Sequence, residues 1–203
     1  MSFDLLLAIA AYAFVTSITP GPNNAMLLAS GLTFGFWRTG PHILGIAIGF
    51  AVMVAAVGLG AGELFKVIPH LHEILRVVAT VYLLYLAWKI ATATPSGPAD
   101  AAAERKPFSF LQAAAFQWVN PKAWIMSIGA VSTYTVPGAF TISVLVIALA
   151  FLCVGSPCIA LWAGFGSAMR RLMNDPRRVR QIDLAMAALL AASALYPLLQ
   201  AAT

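Results

Sequence analysis

Long runs of apolar residues, separated by short polar connections, organise the whole chain. A membrane-spanning helix needs roughly 20 consecutive apolar residues, and six runs reach about that length. Their approximate bounds are 5–30, 42–62, 71–90, 110–133, 139–168 and 182–200. The pattern predicts an all-α integral membrane protein with six transmembrane helices.

Composition agrees with this prediction. Hydrophobic residues make up 61% of the 203 residues, whereas charged residues make up only 9%. Soluble domains carry about 25% charged residues, since a charged surface keeps them in solution. We therefore expect residues 1–203 to form a single transmembrane domain in the lipid bilayer, with no room for a soluble domain.

The basic residues predict the orientation of the helices. Nine of the twelve Lys and Arg residues fall in, or at the edge of, the connections after the first, third and fifth apolar runs. An excess of Lys and Arg marks the cytoplasmic side of a membrane protein. Both chain termini are therefore expected outside the cytoplasm. The net charge of +5 has the same explanation, so it does not indicate a nucleic-acid partner.

The chain is predicted to contain two halves of three helices each. Repeat 1 covers about residues 1–90, repeat 2 covers about 108–203, and an Ala-, Pro- and Gly-rich cytoplasmic linker at 91–107 joins them. Because each half has an odd number of helices, the halves have opposite orientations. This is the 3+3 inverted repeat of many transporters. A weak internal match, which sets Pro20 on Pro121, supports the repeat.

Glycines recur four residues apart in the second run, at Gly45 and Gly49 and again at Gly58 and Gly62. Small residues at this spacing let two helix backbones approach closely in lipid. We expect this packing to occur within the monomer. The alternative is a seam between the copies of a homo-oligomer.

The first apolar run is interrupted in its middle. Two prolines and a glycine stop the helical hydrogen-bond ladder there, and in lipid the freed backbone groups need other partners. Such a break is tolerated where it lines a polar cavity, so the segment is a candidate substrate-binding site. Its residues are Thr19, Pro20, Gly21, Pro22, Asn23 and Asn24. The alternative is a kink that only packs against other helices.

The fourth run has a similar interruption, with the candidate residues Gln117, Asn120, Pro121 and Lys122. A charged group inside a membrane is costly and marks a functional site by default. The Lys122 ammonium could pair with the carboxylate of an amino-acid substrate, or it could reach back to the cytoplasmic interface. Broken helices 1 and 4, in corresponding positions of two halves, indicate a transport site near the midplane.

Other kinds of chemistry have little support in the residues. The sequence contains no Walker loop, GxSxG elbow or HExxH motif, so no enzyme activity is predicted. No cofactor or metal site is expected, since acidic, Cys and His residues are not clustered. The alternative function is a channel or a transporter for another small solute, such as a metal ion.

The two interrupted segments resemble motifs of a known family. TPGPN at residues 19–23 and NPK at residues 120–122 resemble the signatures of the lysine-exporter (LysE) superfamily, in its homoserine/threonine-resistance (RhtB-type) branch. The stretch YLLYLAWKIATA at residues 82–93 resembles the end of that family's third helix. The resemblance covers essentially the whole chain, and it is strongest to the exporters of cysteine and O-acetylserine.

The resemblance implies efflux of small neutral amino acids, of the cysteine/O-acetylserine or homoserine/threonine type, across the bacterial inner membrane. It also implies that the proton motive force drives this efflux, with protons as the coupling ion of an antiport. Many family members have Asp where this chain has Asn23. That difference removes a candidate proton carrier and argues against cationic substrates.

Overall fold

The computed structural model of the chain describes residues 1–61, 67–68, 70–92, 106–170, 180–181, 184–188, 190–192 and 195. These residues lie in helices and short connections, and none of them is in a strand. The all-α class predicted from the apolar runs is therefore confirmed for the described part of the chain. Most of the predicted linker, residues 93–105, lies outside it.

Eight α-helices of the described chain are numbered here in order. They are α1 (Phe3–Ile18), α2 (Pro22–Phe34), α3 (Gly40–Gly58), α4 (Leu71–Ala91), α5 (Phe110–Phe116), α6 (Pro121–Tyr134), α7 (Phe140–Ala150) and α8 (Ser156–Arg170). A 3-10 turn at Trp37–Thr39 leads into α3, and a π-helical turn at Phe151–Gly155, called the π-turn below, joins α7 to α8. Residues 184–188 and 190–192 are also helical. Each predicted apolar run thus contains helix.

Two helical segments are long and apolar enough to cross a membrane. They are Trp37–Gly58, with 22 residues, and Phe140–Arg170, with 31 residues. α1 and α2 form a third candidate span if they are taken together, although the chain bends by 57° between them. By length and hydropathy, the described residues therefore account for two or three spans. The total of six spans stays a prediction.

Large apolar side chains are exposed on the outer faces of the helices. Ile125 on α6, Ile142 on α7, and Leu161 and Phe165 on α8 are each 61% or 62% exposed. In water such a surface would favour association with apolar partners. Hydrocarbon chains of a bilayer provide that apolar environment for a helix whose backbone groups are bonded internally.

α2 and α8 cross in direct backbone contact. A Cβ built on Gly31 would lie 2.1 Å from the carbonyl oxygen of Ala163, and a Cβ built on Gly166 would lie 2.2 Å from that of Leu28. No side chain can move away to make room, because the nearest atoms belong to the opposite backbone. Glycine at both positions is therefore needed for this crossing.

Gly45 and Gly49 of α3 pack against α5 of the same chain. A Cβ on Gly45 would lie 2.4 Å from the carbonyl oxygen of Phe110, and a Cβ on Gly49 would lie 2.6 Å from the Cα of Ala114. The expected packing within the monomer is confirmed for this pair. Gly62 lies outside the described residues.

Pro157 explains the π-turn. Proline has no backbone N–H, so the Cys153 carbonyl four residues earlier loses its usual helical donor, and a π-helical turn accommodates the irregularity. Gly155, the last residue of the π-turn, lies against the end of α1, since a Cβ on it would be 2.8 Å from the Ser17 hydroxyl oxygen. An irregular backbone segment therefore lies beside the connection between α1 and α2.

Candidate functional site

The first break, between α1 and α2, has the local structure that its residues predict. Thr19 is extended (φ −65°, ψ 144°), and α2 begins at Pro22. Proline suits the first helical position because its fixed φ matches the helix and its missing N–H needs no partner there. Gly21 is also extended (φ 177°, ψ 178°), a conformation open to any residue. The Lys122 side chain passes directly over this position, since a Cβ on Gly21 would lie 2.8 Å from the Lys122 Cδ.

Side-chain donors from two helices satisfy the carbonyl groups at the end of α1. The buried Asn24 amide nitrogen donates to the carbonyl oxygens of Ser17 at 2.8 Å and Thr19 at 2.7 Å. The Trp162 indole N–H of α8 donates to the Ile18 carbonyl oxygen at 3.2 Å. Because an unsatisfied backbone group costs several kcal/mol in lipid, these bonds stabilise the first break.

Lys122 provides the remaining donors at the first break. Its ammonium group donates to the Thr19 carbonyl oxygen at 2.8 Å, the Thr19 hydroxyl at 3.0 Å and the Pro20 carbonyl oxygen at 3.2 Å. Lys122 lies in the first turn of α6, where a cation opposes the helix dipole. The carbonyl end of α1 carries the opposite partial charge and compensates this position. The ammonium is thus directed at the interrupted first helix.

The second break, residues 117–120 between α5 and α6, also ends at a proline. α6 begins at Pro121, and the Asn120 side-chain oxygen before it accepts a hydrogen bond from the Lys122 backbone N–H at 3.1 Å. Asn120 is only 1% exposed. Pro121 and Pro22 are each the first residue of a helix, so they correspond in the structure. The internal sequence match instead pairs Pro121 with Pro20.

A reciprocal pair of amides joins the two breaks. The Asn23 amide nitrogen donates to the Gln117 side-chain oxygen at 2.8 Å, and the Gln117 amide nitrogen donates back to the Asn23 oxygen at 3.3 Å. Gln117 is fully buried, and its nitrogen also donates to the Ala113 carbonyl oxygen at 2.9 Å. The pair fixes the start of α2 to the end of α5.

We expect the substitutions Asn23→Ala and Gln117→Ala to be strongly non-additive in stability. Asn23→Ala leaves the buried Gln117 amide, and Gln117→Ala the half-buried Asn23 amide, without its side-chain partner, which costs about 1–3 kcal/mol. The second substitution removes a group whose partner is already gone. The apparent melting temperatures of the purified wild type, both single variants and the double variant measure this. A double variant that loses the sum of the two single losses would show that the amides do not act as a pair.

A cavity opens where the two breaks meet. It contains about 480 Å³ of empty space, a figure that includes the solvent at its open mouth. The breaks form its polar side through Gly21, Asn23, Asn24, Asn120 and Lys122. α3, α6, the π-turn and α8 form an apolar side, lined by Ile46, Ala47, Phe50, Ala123, Met126, Phe151 and Ile159. Thr16, Ser17, Gly155 and Ser156 complete the lining.

The ten predicted site residues come together around this cavity. Five of them line it directly. The other five hold the lining residues in position. Thr19 and Pro20 accept hydrogen bonds from the Lys122 ammonium, and Gln117 pairs with Asn23. Pro22 and Pro121 are the first residues of α2 and α6. The sequence did not indicate the wall formed by α3 and the π-turn. Pro157, inside the fifth apolar run, was the available signal for it.

None of the described residues that line the cavity is acidic. Glu73 is exposed and pairs with His70 at 2.9 Å, while Glu63 and Asp183 lie outside the described residues. Within the described part of the chain, no three His, Cys, Asp or Glu residues are grouped so that they could hold a metal ion.

The sequence matches the LysE type translocator family over residues 14–201. The chain belongs to this family. It is 30% identical over 187 residues to the cysteine/O-acetylserine efflux protein of Escherichia coli O157:H7, which covers 92% of this chain and 94% of that protein. It is 32% identical over 183 residues to the protein of the same name from Salmonella typhimurium, covering 90% and 92%. No solved structure matches the chain.

Family membership confirms the resemblance carried by the two interrupted segments. As a LysE-type translocator, the chain is a membrane transporter. The matched residues, 14–201, include both breaks and every residue that lines the cavity.

Proposed function

We propose that this LysE-type translocator exports small neutral amino acids from the bacterial cytoplasm across the inner membrane. The cavity carries the proposal, because it places hydrogen-bonding and charged groups opposite an apolar wall. Relatives that are 30% to 32% identical are named cysteine/O-acetylserine efflux proteins. Both of those amino acids combine a zwitterionic head with a small uncharged side chain.

The polar side of the cavity suits the zwitterionic head. α2 and α6 both begin there, and backbone N–H groups at the start of a helix carry a partial positive charge that favours a carboxylate. Gly21, which precedes α2, has no side chain to bond the N–H groups of α2, whereas at the start of α6 the Asn120 oxygen already accepts from the Lys122 N–H. In the proposed complex the substrate carboxylate lies at this end, within reach of the Asn23 and Asn120 amides, and the Lys122 ammonium turns toward it.

The same cation favours neutral substrates. Lys122 places a positive charge in the lining, and at close range a positive charge repels the side chain of lysine or arginine. The apolar side of the cavity accepts a short side chain without such a penalty. Small neutral amino acids therefore fit both sides, which agrees with the cysteine/O-acetylserine or homoserine/threonine type of substrate.

We further propose that two inverted halves, about residues 1–90 and 108–203, contribute three spans each and rock against one another around this site. Two similarities support the repeat. α2 and α6 each start with proline after a break and have 13 and 14 residues, and each half continues with a long apolar segment, Trp37–Gly58 or Phe140–Arg170. The proton motive force would drive the cycle, with protons moving in antiport.

We expect both chain ends to lie outside the cytoplasm and the linker to lie inside, because nine of the twelve Lys and Arg residues would then be cytoplasmic. Reporter fusions measure this. Alkaline phosphatase, which is active only outside the cytoplasm, should be active when fused after Thr203. Green fluorescent protein, which becomes fluorescent in the cytoplasm, should be fluorescent when inserted after Asp100. The reverse result would contradict the proposed topology.

Export by whole cells tests the proposed function. A strain without its own amino-acid exporters should grow at inhibitory concentrations of cysteine, O-acetylserine or threonine when it carries the gene, and it should release more of them than a strain with an empty vector. Lysine resistance should not change. If the protein is present in the membrane but gives resistance to none of the neutral amino acids, the proposal is wrong. Resistance to a metal salt instead would support a transporter of another small solute.

A further inference from the structure

The Ser156 hydroxyl is a buried polar group without a partner. Ser156 is the first residue of α8, directly after the π-turn, and it lines the cavity. Its oxygen is buried and makes no hydrogen bond within the described part of the chain. Buried hydroxyl groups are nearly always hydrogen-bonded, and each exception in a native structure needs an explanation.

Comparable side chains of this protein satisfy themselves on their own helix. Thr16, Ser143 and Cys158 each donate to the carbonyl oxygen four residues earlier, at 2.6, 2.8 and 3.2 Å. Ser156 makes no such bond, so no other group of the described chain competes for its hydroxyl. Among the described residues, the other buried side-chain atom without a partner is the His42 Nδ1. It does not line the cavity and belongs to a ring stacked on Phe108.

The backbone around Ser156 is held in place. Pro157 follows it and keeps the helix irregular at this point. Gly155 precedes it and lies so close to α1 that a Cβ there would be 2.8 Å from the Ser17 hydroxyl oxygen. The hydroxyl is therefore presented from a fixed position beside the first break.

Ser156 differs in polarity from its neighbours in the wall. The other lining residues that α3, the π-turn and α8 contribute are Ile46, Ala47, Phe50, Phe151, Gly155 and Ile159. None of these has a polar side chain. When the zwitterionic head is bound at the two breaks, the substrate side chain extends toward this wall, where Ser156 offers it a hydroxyl.

We infer that Ser156 determines specificity for the substrate side chain. Its hydroxyl forms a hydrogen bond with a small polar group of that side chain, a hydroxyl, a thiol or an ester carbonyl, so the cavity prefers such amino acids to apolar ones of the same shape. The inference rests on the proposed function and extends it to the side-chain end of the site. A site that hydrogen-bonds a substrate group discriminates strongly against analogues without it.

Competition between isosteric amino acids tests this inference. Inverted membrane vesicles with an imposed pH gradient take up radiolabelled O-acetylserine, and unlabelled amino acids are added as inhibitors. The concentration that halves uptake is compared between serine and 2-aminobutyrate, and between threonine and valine. In wild type the polar member of each pair should inhibit at about ten-fold lower concentration. Ser156→Ala should bring the ratio of the two inhibitory concentrations in each pair close to one. Ser156→Cys keeps a weak hydrogen-bonding group and should give an intermediate ratio.

Ser132→Ala is the matched control, because Ser132 is an exposed serine of α6 whose hydroxyl donates to the Gly129 carbonyl oxygen at 3.2 Å. It should keep the wild-type ratio. If the ratio of inhibitory concentrations is unchanged in Ser156→Ala, the inference is overturned and the proposed function stays intact. If only Ser156→Cys inserts, an unchanged ratio in that variant has the same meaning. Wild-type vesicles that accumulate no amino acid would instead overturn the proposed function, and the inference with it.

Discussion

Replacement of Lys122 by methionine is expected to slow amino-acid transport about 10- to 100-fold, with the protein still inserted in the membrane. Methionine resembles the stem of lysine but has no ammonium group. The Thr19 and Pro20 carbonyl groups then lose the Lys122 donor, and only Thr19 keeps a second bond, from the Asn24 amide. The substrate carboxylate loses its cation. Initial rates of uptake into inverted vesicles, normalised to the amount of inserted protein, measure the effect.

Two further substitutions separate the charge of Lys122 from its geometry. Lys122→Arg keeps the positive charge, but its planar guanidinium group cannot reproduce the bonds of a compact ammonium, so we expect an intermediate rate. Lys106→Met removes a lysine that is exposed and does not line the cavity, and it should transport at the wild-type rate. A Lys122→Met variant with wild-type rates would show that Lys122 only supports the fold.

The second large effect is expected where α2 and α8 cross. Gly166→Ala places a methyl group 2.2 Å from the Leu28 carbonyl oxygen, so the two helices must separate. Overpacking of this kind costs about 1–3 kcal/mol, and sometimes more. We expect a melting temperature in detergent several degrees below that of wild type, and a lower yield of monodisperse protein.

Gly164 provides a control on the same helix. A Cβ there would meet nothing closer than the Phe36 ring at 3.9 Å, and alanine has a higher helix propensity than glycine. Gly164→Ala should therefore keep or raise the melting temperature. Equal losses for Gly164→Ala and Gly166→Ala would mean that the close crossing of α2 and α8 does not determine the effect.

The two breaks could be predicted because proline and glycine act locally. The absence of an N–H at Pro22 and Pro121 ends the helical ladder whatever surrounds it, and both helices do begin at these residues. The partners of Lys122 could not be predicted in the same way. Its ammonium contacts Thr19 and Pro20, more than 100 residues earlier in the chain, and only the packing of α6 beside α1 brings these groups together.

The part of the apolar wall that α3 forms had no sequence signal, because a helix in lipid is apolar on every face. Ile46 is 3% exposed and lines the cavity, whereas Leu44 and Ile48, two residues away on either side, are 56% and 41% exposed. In a soluble protein polar residues would mark the outer face and reveal the inner one. Here the side chains of both faces are chemically alike, so hydrophobic periodicity does not separate them.

The internal repeat illustrates a related difficulty. In a chain rich in alanine and leucine, many identities arise by chance, and the alignment of Pro20 with Pro121 depended on a few of them. Helix starts give a different correspondence, between Pro22 and Pro121. Backbone position is the stronger criterion, because each of these prolines has the same physical role at the beginning of a helix.

Transport by the purified protein tests the central proposal most directly. Proteoliposomes with an imposed pH gradient would be supplied with radiolabelled O-acetylserine, threonine and lysine, for wild type and for Lys122→Met. We expect gradient-dependent accumulation of the two neutral amino acids, little accumulation of lysine, and loss of accumulation when a protonophore collapses the gradient or when Lys122 is replaced. If correctly inserted wild-type protein accumulates neither neutral amino acid above protein-free liposomes, the protein is not the exporter that we propose.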